Sequence, residues 1–365
     1  MINEEKIKVK GEGVELGATI ACSNDALIEF HKTGKKMPLV LLIAGTGSLD
    51  RDGNSMMMKT NIYKDLSNYF AEQGYACVRY DKRGTHESKG KIMSMSLTTL
   101  TDDAKSVIEH CKAFDYVDEN NIIVCGHSEG AMIATLLTEK TDLSKIILLA
   151  GAGMSLKDAM YYQIDKMMAE ANEGKGFTYW MLRKALKGGE KARKQIEGMF
   201  EKAQKSKKNW MFYRGSIMPT EYIREHNQMT AEKYLEILER FDGGILALTG
   251  TADLQADHTK LELLKGLPNA RLFAPEGVNH MLKKVEGKNS MIDVMKQYKE
   301  QIKKKQPLDT TTVEFMKNWI DSRLPIMPAD FSESSTATAT SSSATSSASR
   351  RSLRRSSPFW RRSIR

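Results

Sequence analysis

The sequence has no long apolar run, and this absence excludes one class of protein. Its 365 residues contain no stretch of eighteen consecutive apolar residues, whereas a transmembrane helix needs about twenty. No apolar segment follows the charged residues of the N-terminal sequence Met1-Ile2-Asn3-Glu4-Glu5-Lys6, which is not the pattern of a secretory signal peptide. We therefore expect a protein without a membrane span or a signal peptide.

Cysteine is also scarce. Cys22, Cys77, Cys111 and Cys125 show neither the paired spacing of a disulfide framework nor the spacing of metal ligands. Cys77 and Cys125 fall within predicted strands, where a free cysteine acts as a small apolar side chain. We expect a reducing, cytoplasmic compartment, no metal site and no cofactor.

The net charge of +9 lies mostly in the C-terminal segment. From Phe331 onward there are seven arginines and one acid, Glu333, which contribute +6 and leave +3 on residues 1–330. Residues 331–365 form a Ser/Thr/Ala tract followed by an Arg/Ser tract, with too few apolar side chains to offset their chain entropy. We predict that this tail is disordered, and we expect no nucleic acid to bind the folded body.

One turn has the pattern of a catalytic nucleophile. Gly126-His127-Ser128-Glu129-Gly130 follows an apolar, β-branched run and precedes a small-residue apolar segment that is typical of a buried helix. A G-x-S-x-G pentapeptide between a strand and a helix is the nucleophile-elbow pattern. Its glycines leave room for a sharp, strained turn, which presents the serine hydroxyl beside the positive end of the helix. An ordinary tight turn is the alternative interpretation.

Strand and helix patterns alternate over most of the chain, which indicates an α/β fold with a mostly parallel sheet and helices on both faces. We predict a hairpin within residues 1–30 at the sheet edge. Further strands are predicted at 39–44, 75–80, 122–125, 146–150, 244–248 and 270–274, and helices at 62–73, 101–112 (with Thr101 as its cap), 131–137, 257–264 and 311–322.

The alternation stops between residues 155 and 241, where only helical patterns rich in methionine and aromatic residues occur. The strand at 244–248 then resumes the sheet. We therefore predict a core in two parts, 1–154 and 242–325, with residues 155–241 inserted as a helical lid. Most of its apolar residues are expected to form the lid's own core, and a minority to line a substrate pocket.

A serine nucleophile needs a histidine base and a carboxylate that orients this base. Ser128 is followed by Asp253, five residues past Leu248, and by His280, six residues past Ala274. Parallel strands would deliver these three side chains to one edge of the sheet. Asp257 is the second candidate for the acid. Four other histidines do not follow the strand after the acid and are less suitable as the base: His86, His127, His226 and His258.

The oxyanion formed during such a reaction needs oriented donors. We expect one donor to be the backbone N–H of Glu129. The other is expected in the loop Gly45-Thr46-Gly47, with Thr46 as the first candidate and Gly47 as the second. Charged residues in the two loops at 50–54 and 79–84 are expected to pair with one another rather than to contact substrate.

Five ordered motifs are Gly45-Thr46-Gly47 with Asp50-Arg51-Asp52-Gly53-Asn54, Arg79-Tyr80-Asp81-Lys82-Arg83-Gly84, Gly126-His127-Ser128-Glu129-Gly130, Gly250 with Asp253-Leu254-Gln255, and Asn279-His280. Over residues 5–325 the chain resembles the bacterial α/β-hydrolase carboxylesterases, in particular the dipeptidyl-aminopeptidase or acylaminoacyl-peptidase-like group. The resemblance implies an α/β-hydrolase fold with a triad of Ser128, Asp253 and His280. Ala44 departs from the pattern, since many relatives have histidine before the oxyanion glycine.

These observations favour a serine hydrolase that cleaves carboxylic esters with short acyl groups through an acyl-enzyme. Its partner would be a small-molecule ester, and the oligomeric state is left open. An aminopeptidase or acyl-peptide hydrolase, or an acyl thioesterase, would use the same triad. A catalytically silent small-molecule binding protein is the alternative outside the enzymes.

Overall fold

The computed structural model describes residues 1–322. The strands are β1 (Ile2–Gly11), β2 (Val14–Ser23), β3 (Met37–Ile43), β4 (Ala76–Tyr80), β5 (Val117–His127), β6 (Lys145–Leu149), β7 (Trp210–Tyr213), β8 (Ser216–Pro219), β9 (Gly244–Leu248) and β10 (Ala270–Phe273). The helices are α1 (Asn24–Thr33), α2 (Ile62–Glu72), α3 (Leu97–Cys111), α4 (Glu129–Leu137), α5 (Leu156–Glu173), α6 (Phe177–Leu186), α7 (Glu190–Lys205), α8 (Thr220–Gln228), α9 (Ala231–Glu239), α10 (Val294–Lys303) and α11 (Thr310–Asp321).

The central sheet has eight strands in the order β1-β2-β4-β3-β5-β6-β9-β10. The hairpin β1–β2 is antiparallel and pairs antiparallel with β4, whereas the strands from β4 to β10 run parallel to their neighbours. This topology confirms the predicted α/β class with a mostly parallel sheet. The carboxyl ends of the parallel strands share one edge, which is where ligands bind in such sheets.

Both faces of the sheet are covered, and the central strand β3 is apolar at every position. In β3, Leu39 and Leu41 belong to a core shared with α3, α4 and α9, while Val40 and Leu42 belong to a second core shared with α2, α10 and α11. A continuous apolar run is therefore needed here, and simple alternation would leave one face polar.

Four parts of the chain differ from the sequence-based expectation. Helix α1 was not predicted, although Ser23 caps its first turn and Gly34 ends it in a left-handed conformation. Helix α3 begins at Leu97 with Ser96 as its cap, so the prediction of Thr101 as the cap is wrong. Helix α10 was also missed. The segment predicted as a helix at 257–264 is a 3₁₀ helix, His258–Leu264.

The insertion between β6 and β9 is not helical throughout. Residues 210–219 form the two-stranded hairpin β7–β8, so the expectation of helices alone is wrong there. Arg214 and Gly215 both have positive φ, +49° and +88°, which is the geometry of a type I′ two-residue turn. In the sequence, the Arg214-Gly215 pair between aromatic and aliphatic residues was the signal that could have predicted this hairpin.

Charged residues of the loops after β3 and β4 pair with one another in two cases, as predicted, and in two other cases they pair with residues of helices. The buried Arg51 guanidinium lies 2.6 Å from Asp81, Arg79 lies 2.7 Å from Asp52, and Arg83 lies 2.7 Å from Asp103. These pairs brace the loops beside the carboxyl edge of the sheet. Asp103 lies in α3 rather than in a loop, and Lys82 binds Glu129 at the start of α4, within the site described below.

Within the described residues, no helix is both long and apolar enough to cross a bilayer. The four cysteines are buried and unpaired in the structure, and burial raises the pKa of the Cys22, Cys77 and Cys111 thiols to about 12. The tail predicted to be disordered, residues 331–365, lies outside the described residues.

Candidate active site

The nucleophile elbow connects the end of β5 directly to the start of α4. Ser128 has φ +56° and ψ −119°, a strained backbone conformation, and its N–H donates to the Leu149 carbonyl at 2.7 Å. A Cβ on Gly126 would lie 2.0 Å from the Gly130 carbonyl oxygen, and one on Gly130 would lie 2.2 Å from the Ile43 carbonyl oxygen. Both glycines are therefore required by close backbone approach, as the sequence pattern predicts.

Asp253 and His280 are brought together from loops after neighbouring strands. Asp253 Oδ2 lies 2.8 Å from His280 Nδ1, and both side chains are buried. Asp253 Oδ1 accepts hydrogen bonds from the backbone N–H groups of Gln255 and Ala256 at 2.7 and 2.9 Å. Since the carboxylate accepts, His280 carries its proton on Nδ1, which leaves Nε2 as the basic nitrogen. Asp257 instead caps the 3₁₀ helix by accepting from Thr259.

Ser128 and His280 line the same cavity, which has a volume of about 560 Å³. This size lies within the range of small-molecule sites. Methionine dominates the apolar part of the wall, and the side chains come from both the core and the insertion: Met58, Met132, Met154, Met160, Met199, Met218, Met281 and Met295. Unbranched, flexible methionine side chains can adapt to ligands of different shapes.

The three candidate oxyanion donors differ in whether they line the cavity. Thr46 and Glu129 line the cavity beside Ser128, whereas Gly47 does not line it. The Gly45 N–H is used by the Tyr63 hydroxyl at 2.8 Å, but within residues 1–322 no acceptor takes the Thr46 N–H. The Glu129 N–H is at the first position of α4, where helix amides lack a partner within the helix.

His127 connects the loops on either side of Ser128. Its Nε2 lies 2.9 Å from the His280 carbonyl oxygen, and its Nδ1 lies 3.0 Å from the Tyr63 hydroxyl. A carbonyl only accepts and the Gly45 N–H only donates, so His127 donates through Nε2 and the Tyr63 hydroxyl donates to Nδ1. Burial, together with the charge of the neighbouring His280, lowers the pKa of His127 to about 3. His127 is thus a neutral bridge.

Glu129 holds a buried polar cluster between the elbow and helix α8. Its carboxylate lies 2.5 Å from Lys82 Nζ and 3.0 Å from His226 Nε2, and it accepts a hydrogen bond from the Tyr222 hydroxyl. Burial alone would raise the pKa of Glu129, but the Lys82 ammonium and His226 outweigh it and lower the pKa below its usual range. Lys82 also donates to the Gly45 carbonyl at 2.6 Å, so the cluster reaches the loop that contains the candidate oxyanion donor Thr46.

Sequence reasoning missed five residues of this site. Lys82 was assigned to loop bracing, His127 and His226 were weighed only as rival bases, and Tyr63 and Tyr222 were not considered. The available signal was the acid directly after the nucleophile, because a buried carboxylate at that position must find donors. Nothing in the sequence indicated which donors these are.

Adding one methyl group to the elbow tests its packing. We expect Gly126→Ala to lower the free energy of unfolding by about 1–3 kcal/mol or more, because its Cβ would overlap the Gly130 carbonyl. Urea unfolding followed by circular dichroism measures this. Gly266→Ala is the matched control, since a Cβ there meets nothing within 4 Å. Equal stability of the two variants would contradict the role assigned to Gly126.

Neutral His127 should make stability depend on pH. The unfolded chain binds a proton at this position below about pH 6.5, whereas folded His127 does so only near 3. The contribution of neutral His127 is therefore complete above about pH 6.5 and is lost as the pH falls toward 3.

We expect His127→Gln, which keeps a donor for the His280 carbonyl, to remove this dependence. The difference in unfolding free energy between wild type and variant should change by up to about 1.4 kcal/mol per pH unit below about pH 6. Urea unfolding at several pH values measures it. His31→Gln, at an exposed histidine of α1, is the control. Parallel wild-type and His127→Gln curves would refute the bridge.

Comparison with known proteins places the fold. The profile of the family described as serine aminopeptidase, S33, matches residues 55–260, more than half of the chain. Esterase EstD of Thermotoga maritima is 23% identical over 282 residues, which cover 74% of this chain and 60% of EstD. The chain therefore spans about 60% of the length of this curated relative.

Two solved structures illustrate the structural likeness. The α/β hydrolase GrgF from Penicillium sp. sh18 has 11% sequence identity and a TM-score of 0.50, over 87% of this chain and 98% of GrgF. Est1E from Butyrivibrio proteoclasticus, solved with ferulic acid, has 17% identity and a TM-score of 0.49, over 82% of this chain and 98% of Est1E. With the strand order and the family match on residues 55–260, the chain belongs to the serine aminopeptidase S33 family and has the α/β-hydrolase fold.

Proposed function

We propose that the protein is a serine hydrolase that cleaves carboxylic esters, with short acyl groups preferred, through an acyl-enzyme intermediate. The observation that carries the proposal is the 2.8 Å contact between Asp253 and His280 Nδ1, with His280 and Ser128 on the wall of one cavity. An imidazole oriented through Nδ1, on the wall of the same cavity as a strained serine, is the arrangement that serine hydrolysis needs.

In this proposal His280 Nε2 takes the Ser128 proton as the serine oxygen attacks the ester carbonyl. Asp253 holds the imidazole in the reactive tautomer and stabilises the imidazolium that forms. The backbone N–H groups of Glu129 and Thr46 receive the developing oxyanion. The imidazolium then protonates the leaving alcohol, and His280 activates a water that releases the acid and regenerates Ser128.

Neutral His127 supports this cycle. Its ring centre lies 4.7 Å from that of His280, so a charge on His127 would oppose the imidazolium that forms during attack. Because the Tyr63 hydroxyl and the His280 carbonyl fix its neutral form, His127 can anchor the histidine loop without this repulsion.

An aminopeptidase is the second candidate, favoured by the description of the family. Such an enzyme recognises an α-ammonium, for which a free carboxylate is the natural partner. Among the described residues that line the cavity, Glu129 is the sole acid, and Lys82, Tyr222 and His226 already occupy its carboxylate. The electrostatics of the cavity therefore favour a neutral ester. Thioesters share the triad and enter the test as a further substrate class.

A substrate panel tests the reaction class. p-Nitrophenyl esters of increasing acyl length, aminoacyl p-nitroanilides and acyl thioesters should be compared with wild type and Ser128→Ala. We expect short-chain esters to give the highest kcat/KM, and Ser128→Ala to lower it at least about 10⁴-fold. Ester turnover retained by Ser128→Ala would refute the mechanism. Preference for anilides would change only the substrate class, and wild type without turnover would favour a binding protein.

The two candidate acids give a matched pair of variants. We expect Asp253→Asn to lower kcat about 10⁴-fold, because an amide can donate to Nδ1 and stabilise the wrong tautomer of His280. Asp257→Asn should leave kcat within about twofold, since asparagine also caps helix termini. Steady-state kinetics on the best ester measures both. A larger loss in Asp257→Asn would reassign the acid.

A further inference from the structure

The positive charge of the folded body is concentrated in one segment of the insertion. Residues 174–219, termed here the cationic segment, contain nine lysines and three arginines but only three acids, for a net charge of +9. Since residues 1–330 together carry +3, the rest of that span carries −6. The modest overall charge of the body therefore hides a strong separation of charge.

The cationic segment also exposes large apolar side chains on the hairpin β7–β8. Trp210, Phe212 and Ile217 are 44%, 54% and 59% exposed, and Phe212 lies directly opposite Ile217 in the strand register. Residues two apart in a strand share a face, so these three side chains form one outer face. On the other face, Met211 is buried and its partner Met218 lines the catalytic cavity.

Lysines border this outer face. Lys208 Nζ lies 5.0 Å from the centre of the Trp210 ring, and Lys202 Nζ donates to the Phe212 carbonyl at 2.7 Å. Lys205 and Lys207 are exposed nearby in sequence. Elsewhere in the cationic segment, helix α6 has the same combination: Phe177 stacks on Trp180, and Lys184 lies over the Trp180 ring. An apolar, aromatic surface bordered by lysines is the composition of segments that bind at a lipid–water interface.

We propose that the outer face of the β7–β8 hairpin binds the surface of anionic lipid membranes. Tryptophan and phenylalanine would enter the headgroup region, and the lysines would neutralise lipid phosphates and carboxylates. A second copy of this chain is a poorer occupant, because a two-fold contact would place two cationic segments against each other. Nucleic acid is also poorer, because it offers no apolar phase for Ile217.

This surface would place the catalytic cavity close to the membrane. The hairpin is a wall of the cavity through Met218, so a bound hairpin holds that wall at the lipid surface. The binding itself needs no turnover. It is therefore measured independently of the proposed ester hydrolysis.

Vesicle sedimentation with the full chain tests the proposal. We expect wild type to pellet with phosphatidylcholine vesicles that contain phosphatidylserine, less so as salt rises, and not with phosphatidylcholine alone. Lys207→Glu/Lys208→Glu should lower the partition coefficient at least about tenfold. Trp210→Ser/Phe212→Ser should also lower the partition coefficient, and the binding that this variant retains should depend on salt as that of wild type does.

Matched controls lie at the end of the sheet where β3 and its parallel neighbours begin, opposite the end that carries the cavity. Lys35→Glu/Lys36→Glu removes the same charge just before β3, and Ile28→Ser removes an exposed aliphatic residue of α1. Both should bind as wild type does, and circular dichroism checks that every variant is folded. Each variant retains residues 331–365, so the basic tail contributes equally throughout.

Three outcomes would overturn the proposal. The first is that wild type does not pellet with anionic vesicles. If, in addition, Trp210→Ser/Phe212→Ser converts a dimer to a monomer in sedimentation velocity, the outer face is a contact between two copies of this chain. The second is that Lys207→Glu/Lys208→Glu and Trp210→Ser/Phe212→Ser both bind vesicles as wild type does, which would assign vesicle binding to another region such as the basic tail. The third is equal loss in the control variants, which would indicate non-specific charge attraction.

Discussion

The geometry of the site depends on backbone packing at the elbow that leaves no space for a side chain. Gly126 and Gly130 approach each other's backbone and that of β3, and a Cβ on Gly151, after β6, would lie 2.3 Å from the Ser128 carbonyl oxygen. Backbone from three neighbouring parallel strands therefore surrounds one residue. A well-packed interior does not deform continuously, so these contacts hold Ser128 in a conformation that an isolated turn would leave.

Polar interactions then place the other loops relative to this fixed point. His127 connects the elbow to the His280 carbonyl, and through Tyr63 to Gly45, while Lys82 joins Glu129 to the Gly45 carbonyl. These groups are buried and paired, which avoids the cost of unpaired polar groups. The residues on both sides of Ser128 in the pentapeptide thus hold the two loops between which a substrate carbonyl would lie.

Short sequence patterns predicted those parts of the site that depend on neighbouring residues in the sequence. The elbow, the apolar central strands and the order of Ser128, Asp253 and His280 follow from steric needs or strand ends that a short window reveals. The partners of Glu129 could not be found that way, since Lys82 and His226 are 47 and 97 residues away in sequence. Many lysine and histidine positions satisfy the same chemistry, and the choice among them is made by tertiary packing.

The segregated charge was hidden for a different reason. Averaging over residues 1–330 cancelled a cationic insertion against an acidic remainder, although both were readable in the sequence once the insertion was bounded. The hairpin β7–β8 was missed because helical composition on both sides outweighed a short aromatic stretch and its Arg214-Gly215 turn.

The way the insertion is attached gives it a direct connection to the chemistry beneath it. The insertion's own small core contains only six buried residues. Polar contacts therefore also contribute to holding the insertion on the rest of the fold. Tyr162 donates to the Asp253 carbonyl at 3.0 Å, and Tyr222 and His226 bind Glu129. Movement of α5 or α8 would therefore break bonds to the residues that carry the candidate acid and the candidate oxyanion donor. A displacement of the insertion would therefore change the hydrogen bonds of Asp253 and Glu129, which ties the position of α5 and α8 to the geometry of the candidate site.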